Sequence, residues 1–206
     1  MSGPYTVPMF IDRIKAIKPR VIVECGARDC EDSLDLADTY KPDVVYAFEC
    51  NQTSLVNCRR IANADNNVIL VERGVWDTNG RQRFRPMVCN IGASSFFKQV
   101  YSTEIRQGEE YVDVVRLDSF MAHNEIERID LLCLDIQGAE LKALEGLGER
   151  IDDVGAIVIE MSRKAYYEGA PLYDEVHNWL CDKGFVQTAY DGSPEAFFNA
   201  LYERQA

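Results

Sequence analysis

The chain runs to 206 residues, 47% hydrophobic and 27% charged, which suits one globular domain with a substantial core and excludes disordered and collagen-like classes. Lys and Arg number 22 against 34 Asp and Glu, a net charge of −12, so phosphate backbones are repelled and nucleic acid is not an expected partner. No apolar run approaches the roughly 20 residues that span a bilayer, so no membrane is expected either.

Around the N-terminus, Pro4 and Pro8 precede a charged helix-like stretch with Asp12, Arg13 and Lys15, unlike a signal peptide. Strand-like runs then alternate with helical patterns. Residues 21–24 read as a buried strand, 32–39 as a helix, 44–48 as a second strand and 53–62 as a helix. A third strand covers 68–71, with Gly74, Val75 and Trp76 just beyond it. About 50 residues follow that break the rhythm, with a hairpin expected at the Gly80 turn and 81–87, and a polar loop around Gly92, Ala93, Ser94 and Ser95. Insertions of that length are usually functional. The alternating Arg81, Arg83 and Arg85 read as one solvated strand face. Asp118 heads a short helix and reads as its N-cap.

Residues 131–134 form an all-apolar fourth strand, as expected where both sheet faces are covered. Residues 139–147 carry a helical period, 156–159 a fifth strand and 173–182 an amphipathic helix. Strands at 185–189 and 197–202 close the chain, joined by a turn at Asp191, Gly192, Ser193 and Pro194 that pairs them antiparallel. The alternation specifies a doubly wound, mostly parallel α/β sheet of seven strands with an antiparallel C-terminal strand. One domain spanning 1–206 is expected, standing alone or excised from a larger enzyme; its oligomeric state is open.

Cysteines stand at 25, 30, 50, 58, 89, 133 and 181, an odd number with no zinc-pair spacing, and His123 and His177 are the only histidines. A disulfide framework and a histidine-rich metal site are therefore not expected, and a reducing, cytoplasmic compartment is.

In an open α/β sheet, ligands bind outside the carboxyl ends of the strands, where the strand order reverses. Gly26 lets the chain turn tightly from the first strand into a helix. A dinucleotide fingerprint beginning there would need glycine at 28 and 31, where this chain has Arg28 and Glu31, so a pyrophosphate is disfavoured. Glu49, 23 positions after Gly26, ends the second strand, where an acid can accept both hydroxyls of a ribose. The other reading is a solvated strand-end carboxylate. A ribose without a pyrophosphate suggests S-adenosyl-L-methionine (SAM).

Five segments in order now carry a resemblance. They are Glu24-Cys25-Gly26-Ala27 with Ser33, Ala47-Phe48-Glu49-Cys50-Asn51, Gly74-Val75-Trp76-Asp77 with Gly80, Gly92-Ala93-Ser94-Ser95, and Arg116-Leu117-Asp118-Ser119-Phe120 followed by Leu134-Asp135-Ile136-Gln137-Gly138-Ala139-Glu140. The chain resembles the FkbM family of SAM-dependent methyltransferases from about residue 21 to 162, departing from it at Cys30 and Cys50. The resemblance implies that Glu24, Gly26 and Ala27 lie along the methionine moiety and that Ser33 is a cofactor contact. It places Glu49 on the ribose and Gly74 and Val75 beside the adenine. Trp76 either covers that ring or belongs to the core.

Asp135 follows the all-apolar strand and is expected either to take the proton of a substrate hydroxyl or to cap a helix. Gln137 and Glu140 open the next helix and are expected to face the acceptor, although Glu140 also suits the helix dipole. Glu160 ends the fifth strand as a second acid at the cleft, and Ser94 and Ser95 are expected to set acceptor specificity. Two acids on adjacent strands can hold a divalent cation, a possibility left open but not favoured without a third ligand. The expected activity is O-methylation of a sugar or glycan hydroxyl, with S-adenosyl-L-homocysteine (SAH) as product. The alternatives are a nicotinamide-dependent oxidoreductase and a SAM-binding module without turnover.

Overall fold

The computed structural model describes residues 3–62, 64, 67–100, 108–193 and 195–205. In chain order come α1 (Pro8–Ile17), β1 (Val21–Cys25), α2 (Glu31–Tyr40), β2 (Val44–Phe48), α3 (Gln52–Ala62) and β3 (Val68–Val71). Then follow β4 (Gly74–Val75), β5 (Gly80–Phe84), β6 (Glu110–Val115), α4 (Leu117–His123), β7 (Ile129–Leu134) and α5 (Glu140–Glu145). The chain closes with β8 (Val154–Ser162), α6 (Tyr173–Asp182), β9 (Phe185–Gly192) and β10 (Phe197–Arg204).

The main sheet has the order β3-β2-β1-β7-β8-β10-β9, parallel throughout except at β10, which runs antiparallel to both β8 and β9. The expected seven-stranded sheet and its antiparallel closing strand are both present. The turn between β9 and β10 includes Pro194, which lies outside the described residues.

The sheet is covered on both sides, which is why its central strands read as unbroken apolar runs rather than alternating ones. Val23, Leu132 and Ile157 pack on one face with Phe120, Leu144 and Leu180; Ile22, Leu131 and Val158 pack on the other with Phe10, Ile14 and Leu36. Truncating a side chain such as Leu132 to alanine there costs about 2–5 kcal/mol.

The long insertion departs from expectation. β5 follows the Gly80 turn, but it forms no local hairpin: it pairs antiparallel with β6, while β4 pairs parallel with the other edge of β6. β6 had not been read as a strand, although Val112 and Val114 are buried between the exposed Tyr111 and Asp113. Arg81 and Arg83 are solvated and pair with Asp113 and Glu109, whereas Arg85 is buried and donates to the Phe96 carbonyl at 2.6 Å. Asp118 is not a cap. It lies inside the first turn of α4, where its carboxylate accepts from the Arg116 guanidinium. The helix expected over 139–147 is shorter, ending at Glu145 and followed by a 3₁₀ segment, Gly148–Asp153.

Candidate functional site

The order reverses at β1, which lies between β2 and β7, so the carboxyl ends of these three strands form the crevice. Gly26 makes the turn out of β1 at φ +90°, and a Cβ on it would stand 1.9 Å from the Asp135 carbonyl oxygen. The Gly26 and Ala27 N–H groups both donate to the Phe48 carbonyl, at 3.0 and 2.9 Å, and the Asp135 N–H donates to the Cys25 carbonyl at 3.1 Å. Only glycine fits here, because neither the backbone angle nor the space admits a side chain.

Around this turn lies an open cavity. Gly26, Glu49, Gly74, Val75, Asp135 and Gln137 form its floor, and Phe84, Ile91, Ser94 and Phe96 reach over it from the insertion. Gly74 has its own steric reason: a Cβ would meet the Phe96 ring at 2.6 Å.

Glu49 is 8% exposed, and its carboxylate is held by backbone. Its Oε1 accepts from the Cys50 and Asn51 N–H groups at 2.7 and 2.6 Å, and its Oε2 from the Arg28 N–H at 2.8 Å. These take three of a carboxylate's roughly four acceptor positions, leaving one at Oε2 for a ligand hydroxyl. Burial pushes Glu49 up to about 7, and the three N–H groups oppose that rise.

Other expected contacts are placed elsewhere. Glu24 is fully buried, its Oε2 bonded to the Ser33 hydroxyl, and neither side chain borders the cavity. Burial raises the Glu24 carboxyl well above the usual range. Ala27 is likewise buried, against the second core face. Ser94 lines the cavity, but its hydroxyl accepts from the Met87 N–H and Asn51 Nδ2 and donates to the Ile91 carbonyl. Ser95 donates to the Gln137 carbonyl at 2.7 Å and accepts from the Phe97 N–H at 2.9 Å. Both serines staple the insertion to the crevice. Trp76 packs on Phe96 and Phe97 as core, and of these three rings Phe96 meets the cavity.

At the ends of β7 and β8 the remaining candidates come together. Gln137 Nε2 donates to Asp135 Oδ1 at 2.7 Å and to Glu160 Oε2 at 2.8 Å, while its Oε1 accepts from the Tyr167 hydroxyl at 2.6 Å. These bonds hold Gln137 at φ +54°, a left-handed conformation costing a non-glycine residue roughly 1–2 kcal/mol. Asp135 is no helix cap, since α5 begins at Glu140. Glu140 turns inward and accepts from the Ile136 N–H at 3.0 Å and the Gly138 N–H at 3.0 Å, shaping the loop between β7 and α5.

Burial and then the neighbouring Asp135 push Glu160 well above the usual carboxylate range. Burial raises Asp135 as well. A donor, Gln137 Nε2, thus occupies the position between the two acids that a cation would need. Among the described residues no cluster of three or more His, Cys, Asp or Glu is arranged around a metal position.

The family model described as "Methyltransferase FkbM domain" matches residues 24–186, more than half of the chain. The chain belongs to the FkbM methyltransferase family. The matched stretch holds every residue of the crevice described above. A curated relative, 2-O-methyltransferase NoeI of Sinorhizobium fredii, is 26% identical across 72% of this chain and 66% of its own length. The solved methyltransferase FkbM from Methylobacillus flagellatus superposes with a TM-score of 0.61 at 16% identity, covering 90% of this chain and 44% of that one. This FkbM chain therefore spans less than two thirds of both. The magnesium protoporphyrin IX methyltransferase of Synechocystis PCC 6803, solved with bound SAM, has a TM-score of 0.53 at 10% identity, covering 95% of this chain and 78% of that one. These solved structures share the fold.

Within this FkbM domain, sequence reasoning had not singled out Phe96 or Tyr167. Tyr167 had a visible signal, since Tyr166-Tyr167 is an aromatic pair just after a strand that ends in an acid. No helix among the described residues is long and apolar enough to cross a membrane.

Proposed function

We propose that this FkbM domain is a SAM-dependent O-methyltransferase acting on a hydroxyl of a sugar or glycan. The observation that carries the reading is Asp135, a half-buried carboxylate in the floor of the switch-point cavity, tied by backbone to the β1 turn and by Gln137 to Glu160.

SAM fits the residues present. Glu49 keeps one acceptor position for a ribose hydroxyl, and Gly26, Gly74 and Val75 border the same cavity. When bound, SAM supplies an electrophilic methyl group and leaves as the neutral thioether SAH. Asp135 orients the acceptor oxygen and takes its proton as the new O–CH₃ bond forms. Gln137 keeps Asp135 in place, and Phe84 and Phe96 of the insertion reach over the cavity.

Oxygen as the accepting atom is supported by the name of the rhizobial relative. A neutral polyol suits acceptor-side groups that are mostly carboxyls and a net charge of −12, which also disfavour nucleic acid. The seven free cysteines support a reducing, cytoplasmic setting.

Calorimetry with SAM and with NAD, followed by SAH release over free and glycosylated sugars, tests the proposal. SAM binding with sugar-dependent SAH release is expected. NAD binding in place of SAM, or SAM binding with no sugar turned over, contradicts it.

A further inference from the structure

A second cavity lies beside the first, between the loop that follows β8 and the start of β10. Its walls are largely aromatic and apolar, with Glu140, Glu160, Ser162 and Lys164 among them. Tyr166 and Phe197 stack with ring centroids 4.3 Å apart and planes 25° from parallel, both half-buried, and Tyr173 lines the same space. Glu160 lines it too, and Glu160 Oε2 accepts from Gln137, which lines the first cavity. The two cavities therefore share one wall, the Gln137–Glu160 contact.

We infer that this second cavity is the acceptor subsite and that it takes a pyranose ring of a neutral glycan; the inference rests on the methyltransferase reading above. A pyranose presents an apolar C–H face, which suits an aromatic wall, and a rim of hydroxyls, which suits a carboxyl. Glu160 and Glu140 in the lining, both raised by burial toward their neutral form, offer hydrogen-bonding carboxyls to ring hydroxyls. A hydroxyl that takes over the Gln137–Glu160 hydrogen bond exchanges one polar contact for another. It then stands beside Asp135, at the border of the cofactor cavity.

Saturation-transfer NMR on the full chain, with methyl α-glucoside, methyl α-galactoside and methyl α-mannoside as probes, tests this. Two variants are compared with wild type. Phe197→Ala removes half of the stack, and Ala165→Trp, at an exposed position on the cavity mouth, blocks entry without touching the core. Saturation of ring C–H protons is expected with at least one probe, falling about tenfold in Phe197→Ala, the scale of one lost aromatic contact, and to background in Ala165→Trp. Calorimetry should find SAM affinity unchanged in both, since neither residue borders the first cavity.

No transfer to any probe in wild type, or equal transfer in all three proteins, overturns the subsite. Sugar-dependent SAH release that survives both variants also overturns it, while sparing the proposed reaction. Probe binding lost in both variants, without any SAH release, upholds the subsite and removes the reaction instead.

Discussion

Gly26 and Asp135 meet through their backbones: a Cβ on the glycine would lie 1.9 Å from the aspartate carbonyl oxygen. This contact joins the turn that shapes the cofactor cavity to the strand that carries the proposed base. Gly26→Ala should destabilise the chain by about 2–4 kcal/mol, combining overpacking with a disallowed backbone angle. Urea unfolding measures it. A loss under about 0.5 kcal/mol, the scale of an ordinary surface substitution, would mean that the turn is free to shift.

Glu49 offers a ligand one acceptor position and spends the others on three backbone N–H groups. Glu49→Gln keeps the size but turns an amide N–H₂ toward one of those donors. SAM affinity should fall roughly 10- to 150-fold, the equivalent of about 1.5–3 kcal/mol for a hydrogen bond to a charged group. Calorimetric affinity within twofold of wild type would take Glu49 out of the site.

The buried acids set the sign of the pH dependence of stability. Glu49 and Glu140 titrate at about 7 against an ordinary 4.5, and Asp32 at about 6 against 3.8, in each case chiefly through burial. Between pH 5 and 8 the folded chain holds protons that the unfolded chain has released, so stability present at low pH is lost as pH rises. Asp118 and Glu72, held below the usual range by hydrogen bonds from Arg116 and Arg59, stay charged across this window and add no slope. The melting temperature should be higher at pH 5.5 than at pH 8, and Glu140→Gln should flatten the difference. A melting temperature that climbs with pH would contradict this assignment.

The serine loop is predicted to act on the roof of the cavity rather than on the acceptor. Ser94→Ala removes a hydroxyl shared among Met87, Asn51 and Ile91, at a cost of about 1–3 kcal/mol for the buried groups left unpaired. Proteolytic cleavage within residues 85–97 should become faster, and SAM should dissociate faster in stopped-flow measurements. A raised acceptor KM with unchanged SAM kinetics would instead make Ser94 an acceptor contact.

The main sheet was legible because its strands are buried on both faces, leaving apolar runs at 21–24, 44–48 and 131–134 that no other element explains. β6 was not, because it lies in a half-solvated three-stranded sheet whose pairing with β4 and β5 is set by contacts distant in sequence. The same limit applies to the site. Glu49 and Asp135 were readable as acids that end strands, since strand ends face the crevice. That Glu24 would be buried with Ser33, or that Gln137 would join Asp135 to Glu160 23 residues further along, depends on side-chain directions that spacing does not encode.

Single-turnover methyl transfer by the Asp135→Asn variant, followed as SAH formation at saturating SAM, tests the central claim most directly. The substitution keeps the size of the side chain and removes the base. The rate should drop by about 10²–10⁴-fold, the usual worth of general-base assistance, with SAM affinity unchanged. A rate within about threefold of wild type would contradict the account and leave Asp135 as a structural partner of Gln137.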